Sequence, residues 1–115
     1  MSGSGSSPEM VVKKDVVSGG WVLAARGELD AQSIGPLREA AVGAAAGFPV
    51  LVLDFGAVTF ADSAALNLLL ILHRSTRLYV AAPCARLLCV LEMAGADRVL
   101  RIYPSVAAAC AAAAG

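Results

Sequence analysis

The stretch Pro49-Val50-Leu51-Val52-Leu53-Asp54-Phe55 constrains this chain more than any other. It is a near-continuous apolar run with no polar face to offer water. Such a run predicts a strand buried on both faces, as in a parallel sheet covered by helices. The next segment is just as informative. Gly56 to Ala61 reads as a short connection carrying Val58 and Phe60, and Asp62-Ser63 then opens an Ala/Leu-rich helix running to about Arg74.

The rest of the chain alternates around that unit. Glu9 to Val17 is valine-rich and loosely alternating, an edge-strand pattern. Ser18-Gly19-Gly20 is a turn signal, and Trp21 to Arg26 a second strand, so the two predict a hairpin. Gly27-Glu28-Leu29-Asp30 leaves that strand. Asp30 is placed to cap a helix over Ala31 to Ala46, with Ile34, Leu37, Ala41 and Ala45 near helical spacing. Pro36 falls in its second turn, where it is tolerated, and Gly47 stops it. Arg77 to Ala82 is another apolar strand. Pro83 opens a third helix with Leu87, Leu88 and Leu91 on one side and Gly95 as its stop. Val99 to Tyr103 is a short strand, broken by Pro104, and Ser105 begins an alanine-rich last helix. The expected fold class is α/β: one domain over residues 9–115, with a mixed, mostly parallel sheet of about five strands and helices packed against it. Met1 to Pro8 is Ser/Gly-rich and reads as a flexible tail.

Composition narrows the function. At 58% hydrophobic and 16% charged, the 115 residues exclude an intrinsically disordered chain. A formal net charge of zero, without a basic patch, argues against direct nucleic-acid binding. The longest apolar stretch, Ala64 to Leu72, is interrupted by Asn67 and falls short of the about 20 residues a spanning helix needs. No membrane insertion is expected, and neither is a signal peptide. Three cysteines without a Cys-x-x-Cys pair, and a single histidine, argue against a disulfide framework or a metal site. Cys84, Cys89 and Cys110 read as small residues on core-facing helices, in a cytoplasmic protein. His73 sits at a helix C-terminal end, where it suits the helix dipole.

No catalytic set emerges: there is no phosphate-binding glycine loop and no nucleophile elbow. Asp54 is expected to end its strand by bonding to turn backbone. The feature left over is the Asp62-Ser63 pair. Its simplest reading is a cap, in which either side chain satisfies free N–H groups. Its sharper reading is a switch. A phosphoserine carries roughly −1.5 to −2 charge, and at a helix N-terminus that charge meets the dipole and unpaired N–H groups. The fold would tolerate the modification while a partner surface would not.

Three segments then resemble the STAS domain family, and within it the anti-sigma-factor antagonists. Leu53-Asp54, Val58, Phe60, Asp62-Ser63 and Leu66 match its acceptor segment. Gly27-Glu28-Leu29-Asp30 matches the turn after its second strand. Leu91-Glu92, Gly95, Leu100, Ile102 and Tyr103 match its C-terminal stretch. The resemblance spans about Val11 to Ala109. It implies a bacterial, cytoplasmic partner-switching protein that regulates sigma-factor-dependent transcription. The unphosphorylated antagonist binds an anti-sigma factor with serine kinase activity, phosphorylation at Ser63 releases it, and a PPM-type, metal-dependent serine phosphatase resets it. ATP and Mg²⁺ would belong to the kinase, so the chain itself needs no cofactor and is not an enzyme. Asp30, Asp62, Ser63, Ala64, Ala65, Leu66 and Asn67 would form the partner-binding segment.

The chain departs from the family where Gly-Leu-Gly is usual: Ala64, Ala65, Leu66 and Asn67 follow the acceptor. Ser63 is thereby the only hydroxyl in the helix's first turn. The glycine losses place methyl groups and an amide where a partner approaches. The connection His73 to Arg77 is shorter than the family's, so the helix before it is expected to end early or strain into the next strand. The alternative reading is a STAS module that only binds, as a scaffold of stressosome type or a nucleotide sensor. A small α/β enzyme and a transporter fragment rank below both. Val106 to Ala114 could pack on the domain or on a second copy in a homodimer.

Overall fold

A computed structural model describes residues 11–15, there as backbone, and 20–114. The elements are β1 (Val11–Asp15), β2 (Trp21–Leu29), α1 (Gly35–Gly47), β3 (Val50–Ala61), α2 (Ser63–Ser75), β4 (Arg77–Ala81), α3 (Ala85–Ala94), a short 3-10 turn (Ala96–Arg98), β5 (Arg101–Tyr103) and α4 (Val106–Ala114). The order of strands and helices is the one the sequence predicts. The tail and the Ser18-Gly19 part of the turn lie outside the described residues.

The sheet order is β1-β2-β3-β4-β5. β1 pairs antiparallel with β2, and β2 to β5 are parallel. β3 lies at the centre, and its apolar run is buried on both faces as expected. Leu51, Leu53 and Phe55 face the layer that holds Leu37 of α1, Leu68, Leu69 and Leu72 of α2, and Leu87 and Leu91 of α3. Val50 and Val52 face the other way, with Val22, Tyr79, Ala109 and Ala113. Three helices therefore cover one face and α4 covers the other. The last helix packs on its own sheet, since small alanine side chains let it approach closely. Among the described residues no polar or charged side chain is buried, so apolar burial carries the core.

The structure corrects several sequence boundaries. β2 does not end at Arg26 but runs on to Leu29, and β3 does not end near Phe55 but runs on to Ala61. The two extensions pair with each other, from Arg26 opposite Ala57 to Leu29 opposite Ala61, through register shifts at Ala24/Arg26 and Gly27/Glu28. Gly27 makes this bulge possible with φ +83°, a conformation that side chains with a Cβ avoid. Asp54 Oδ1 does accept from Gly56 N–H at 2.8 Å, yet this local bond sits inside a continuing strand instead of ending it. β4 stops pairing with β3 at Asp54 opposite Ala81, so β3 residues 55–61 extend beyond it.

Helix α1 starts at Gly35, not Ala31, with Pro36 in its first turn, where a missing N–H costs no helical bond. Ile34, not Asp30, is its N-cap. Helix α2 does not end early: Thr76 turns the chain in one extended residue, with its Oγ1 donating to Pro49 O at 2.9 Å. Gly95 ends α3 in the left-handed conformation at φ +75°, as its stop role requires. Cys89 is exposed rather than core-facing, because two residues from buried Leu87 lies nearly the opposite side of a helix; Cys84 and Cys110 are half-buried. His73 lies in the last turn of α2, half-buried, with Nδ1 lacking a hydrogen-bond partner.

Candidate functional site

The site is built at the end of the paired β2 and β3 extensions. Leu29 and Ala61 are opposite each other, so Asp30 and Asp62 leave the sheet side by side. The Asp62 N–H donates to Leu29 O at 3.3 Å and ties the start of α2 to the loop after β2. Ala61 is fully buried beneath this junction. The family resemblance puts Asp30 in one segment with Asp62 and Ser63, and the structure brings the loops that carry them side by side.

Asp62 is the N-cap of α2. Its backbone is extended, and its Oδ1 accepts from Ala64 N–H at 2.9 Å. Its carbonyl oxygen accepts from Ala65 N–H at 3.0 Å and Leu66 N–H at 3.3 Å. A cap of this kind stabilises a helix by about 1 kcal/mol. Ser63 is therefore not needed for capping: it occupies the first helical position with its side chain open to solvent. The N–H groups of residues 64–66 are already occupied by Asp62. A group added to Ser63 would not find them free, contrary to expectation.

Asp30 organises its own loop instead of a helix. Its Oδ1 accepts from Gln32 N–H and Ser33 N–H, each at 3.0 Å. Ser33 Oγ lies 3.0 Å from the same oxygen and 2.6 Å from Glu28 O, and accepts from Asp30 N–H. The Ser33 hydroxyl first, and then the Ser33 N–H, hold the Asp30 carboxyl below its ordinary range against a smaller opposing effect of burial. A lowered folded-state value means that Asp30 contributes stability above the unfolded value. That contribution is lost as pH falls through the folded value. The stability gap between wild type and Asp30→Asn, measured by urea unfolding, is therefore expected to be constant from neutral pH down to about pH 5 and to close below the ordinary value of 3.8. A gap that widened in acid would contradict this bonding.

The rest of the candidate segment splits by face. Ala65 is buried against the sheet, and Ala64 and Leu66 are half-buried and packed on the same core. Asn67 is exposed one turn after Ser63, followed by partly exposed Leu70 and Ile71 at 37% and 46%. The outward surface of α2 is thus Ser63, Asn67, Leu70 and Ile71. The alanine at 65 presents its methyl group to the core, not to a partner. Sequence reasoning missed Ser33 and Arg86. Ser33, three residues after Asp30, carries a turn signature that could have been read. Arg86, whose Cζ lies 5.1 Å from the Phe60 ring centroid, has none, because the contact joins α3 to β3 across the fold.

Among the described residues no helix is long and apolar enough to cross a membrane. Residues 7–109 match the family model of the STAS domain. Curated protein sequences show no match to the chain. Among solved structures, an anti-sigma factor antagonist from Mycobacterium paratuberculosis is 25% identical, with a TM-score of 0.78, and the alignment covers 92% of this chain and 96% of that one. The anti-sigma factor antagonist SpoIIAA in its unphosphorylated form is 19% identical, with a TM-score of 0.67 over 80% of this chain and 86% of that one. The Bacillus cell fate determinant SpoIIAA in its phosphorylated form is also 19% identical, with a TM-score of 0.63 over 80% and 89%.

Proposed function

Because the chain belongs to the STAS domain family, we propose that it is an anti-sigma-factor antagonist switched by phosphorylation at Ser63. The carrying observation is the division of labour at the start of α2. Asp62 caps the helix, which leaves the Ser63 hydroxyl exposed and unneeded by the fold. The resemblance to the mycobacterial antagonist over nearly the whole of both chains supports the general role. That SpoIIAA, of the same fold, has been solved in a phosphorylated form supports a fold that carries such a group.

In this reading the unphosphorylated chain binds an anti-sigma factor that is itself a serine kinase and so frees a sigma factor in the bacterial cytoplasm. The kinase transfers the γ-phosphoryl group of Mg-ATP to Ser63 Oγ. The new O–P bond forms as the bond to the β-phosphate oxygen breaks, ADP leaves, and a kinase base takes the hydroxyl proton. A PPM-type phosphatase hydrolyses the phosphoserine. This chain supplies position and surface, and no catalysis.

The test is intact-mass spectrometry after incubation with host cytoplasmic extract and Mg-ATP, comparing wild type with Ser63→Ala. One phosphoryl adduct on the wild type and none on the variant is the expected result. No adduct, under conditions that phosphorylate a known antagonist, would leave a module that only binds. For that second reading, exposed Leu70 and Ile71 on the same outward surface of α2 supply an apolar contact that needs no phosphate on Ser63.

A further inference from the structure

Phosphorylation at Ser63 would create an electrostatic problem that the immediate surroundings do not solve. The N–H groups of Ala64, Ala65 and Leu66 are taken by Asp62. The Asp62 carboxylate is adjacent, Asp30 leaves the neighbouring strand at the same level, and Glu28 lies opposite Phe60 in the β2–β3 pairing. A group of roughly −1.5 to −2 charge would join three carboxylates.

Among the described residues, Arg86 is a cation fixed in place at this end of the sheet. β3 residues 55–61 extend beyond their partner β4, and the ring of Phe60 is half-buried there. The Arg86 guanidinium rests over that ring, with Cζ 5.1 Å from its centroid. Ser63 and Arg86 both lie in first turns of helices packed on the same sheet face, each following a parallel strand, so both sit at the C-terminal end of the sheet. Helical side chains lean toward the helix N-terminus, which directs Arg86 to that end. Phe60 and Ser63 are three residues apart, so their Cα atoms are at most about 11 Å from each other. An exposed cation–π contact is worth about 0.5–1 kcal/mol, whereas an arginine–phosphate pair is charge-assisted and two-pronged.

Building on the proposed phosphorylation of Ser63, we infer that Arg86 is the intramolecular counter-ion of phosphoserine 63, parked on Phe60 in the unmodified state and transferred to the phosphate on modification. The pairing is a positioning role: it fixes the phosphoryl group at the rim between α2 and α3 and offsets part of the repulsion from Asp62, Asp30 and Glu28. Arg26, exposed on the β2 extension, and Arg38, exposed in the first turn of α1, are the rival cations.

The test uses phosphoserine encoded genetically at position 63 of the full chain, so it needs no kinase. Phosphorus NMR then reads the second ionisation of the phosphate, which lies near pH 6 when unperturbed. An adjacent guanidinium favours the dianion and lowers this value. Arg86→Gln is expected to raise it by about 0.5 units relative to wild type, Arg86→Lys to raise it by less, and Arg26→Gln and Arg38→Gln to leave it unchanged. No change in Arg86→Gln, or a shift carried by Arg26→Gln or Arg38→Gln instead, would overturn the assignment. Arg86 is exposed, so its loss leaves the core intact. Failure of the extract to phosphorylate Ser63 would strike the switch reading and not this pairing.

Discussion

Phosphoserine at position 63 is expected to weaken binding to the partner kinase about a thousandfold, roughly 4 kcal/mol, while leaving folding almost untouched. Both halves follow from the same geometry. Ser63 is exposed on the outward surface of α2, beside Asn67 and the apolar Leu70 and Ile71. A partner seated there must desolvate whatever the serine carries, and an unmatched charge in an interface costs several kcal/mol. In the free chain the phosphate stays at the exposed rim, where Arg86 offsets the neighbouring carboxylates. The helix cap does not change either, because Asp62 holds the Ala64 N–H and needs nothing from Ser63. The unfolding free energy is expected to stay within about 0.5 kcal/mol, the usual range for surface changes. Calorimetric titration of the kinase recovered from the extract against the encoded phosphoserine chain and the serine chain reads the first effect, and urea unfolding the second. A loss below tenfold would place Ser63 outside the contact surface. A large loss of stability would mean that the serine hydroxyl has a structural partner after all.

Phe55→Ala is expected to destabilise the fold by about 4 kcal/mol, a large share of the roughly 5–15 kcal/mol typical of a domain. Phe55 is only 1% exposed and belongs to the cluster that joins β3 to α1, α2 and α3. It is the first β3 residue beyond the pairing with β4, so on that side no neighbouring strand can close over a cavity left at this point. The urea midpoint should fall with its slope unchanged, because the same surface is exposed on unfolding. A loss under about 1 kcal/mol would contradict the central, two-faced burial of β3.

Much of this was legible in the residues. The run from Val50 to Phe55 left no polar face, so β3 had to be central, and the alternation of helical and strand periods around it fixed a parallel sheet. Asp62 could be read as a cap because an extended carboxylate residue before an Ala/Leu-rich stretch has free N–H groups to serve. Gly95 could be read as a stop because only glycine accepts φ +75° without strain. The residues left the cap to either Asp62 or Ser63, and the structure gives it to Asp62, which frees the exposed Ser63 hydroxyl.

Other features depended on contacts that no local window contains. Gly27 and Gly56 are turn residues by propensity. Here they lie inside strands, because β2 and β3 pair beyond β4 through a bulge, and cross-strand hydrogen bonds outweigh local preference. Asp30 went to its own loop rather than to α1 because Ser33 and Gln32 offered nearer donors. Ala65 faces inward although a partner-facing segment was expected, since the helix rotation that buries Leu68, Leu69 and Leu72 fixes every position along α2. The meeting of Arg86 with Phe60 joins residues 26 positions apart. The residues alone thus determined which segments form the sheet and where a hydroxyl opens a helix, because burial and capping are written in short-range pattern. Only the tertiary structure decided what surrounds that hydroxyl, because side chains from separate elements converge there through packing, which short-range pattern does not record.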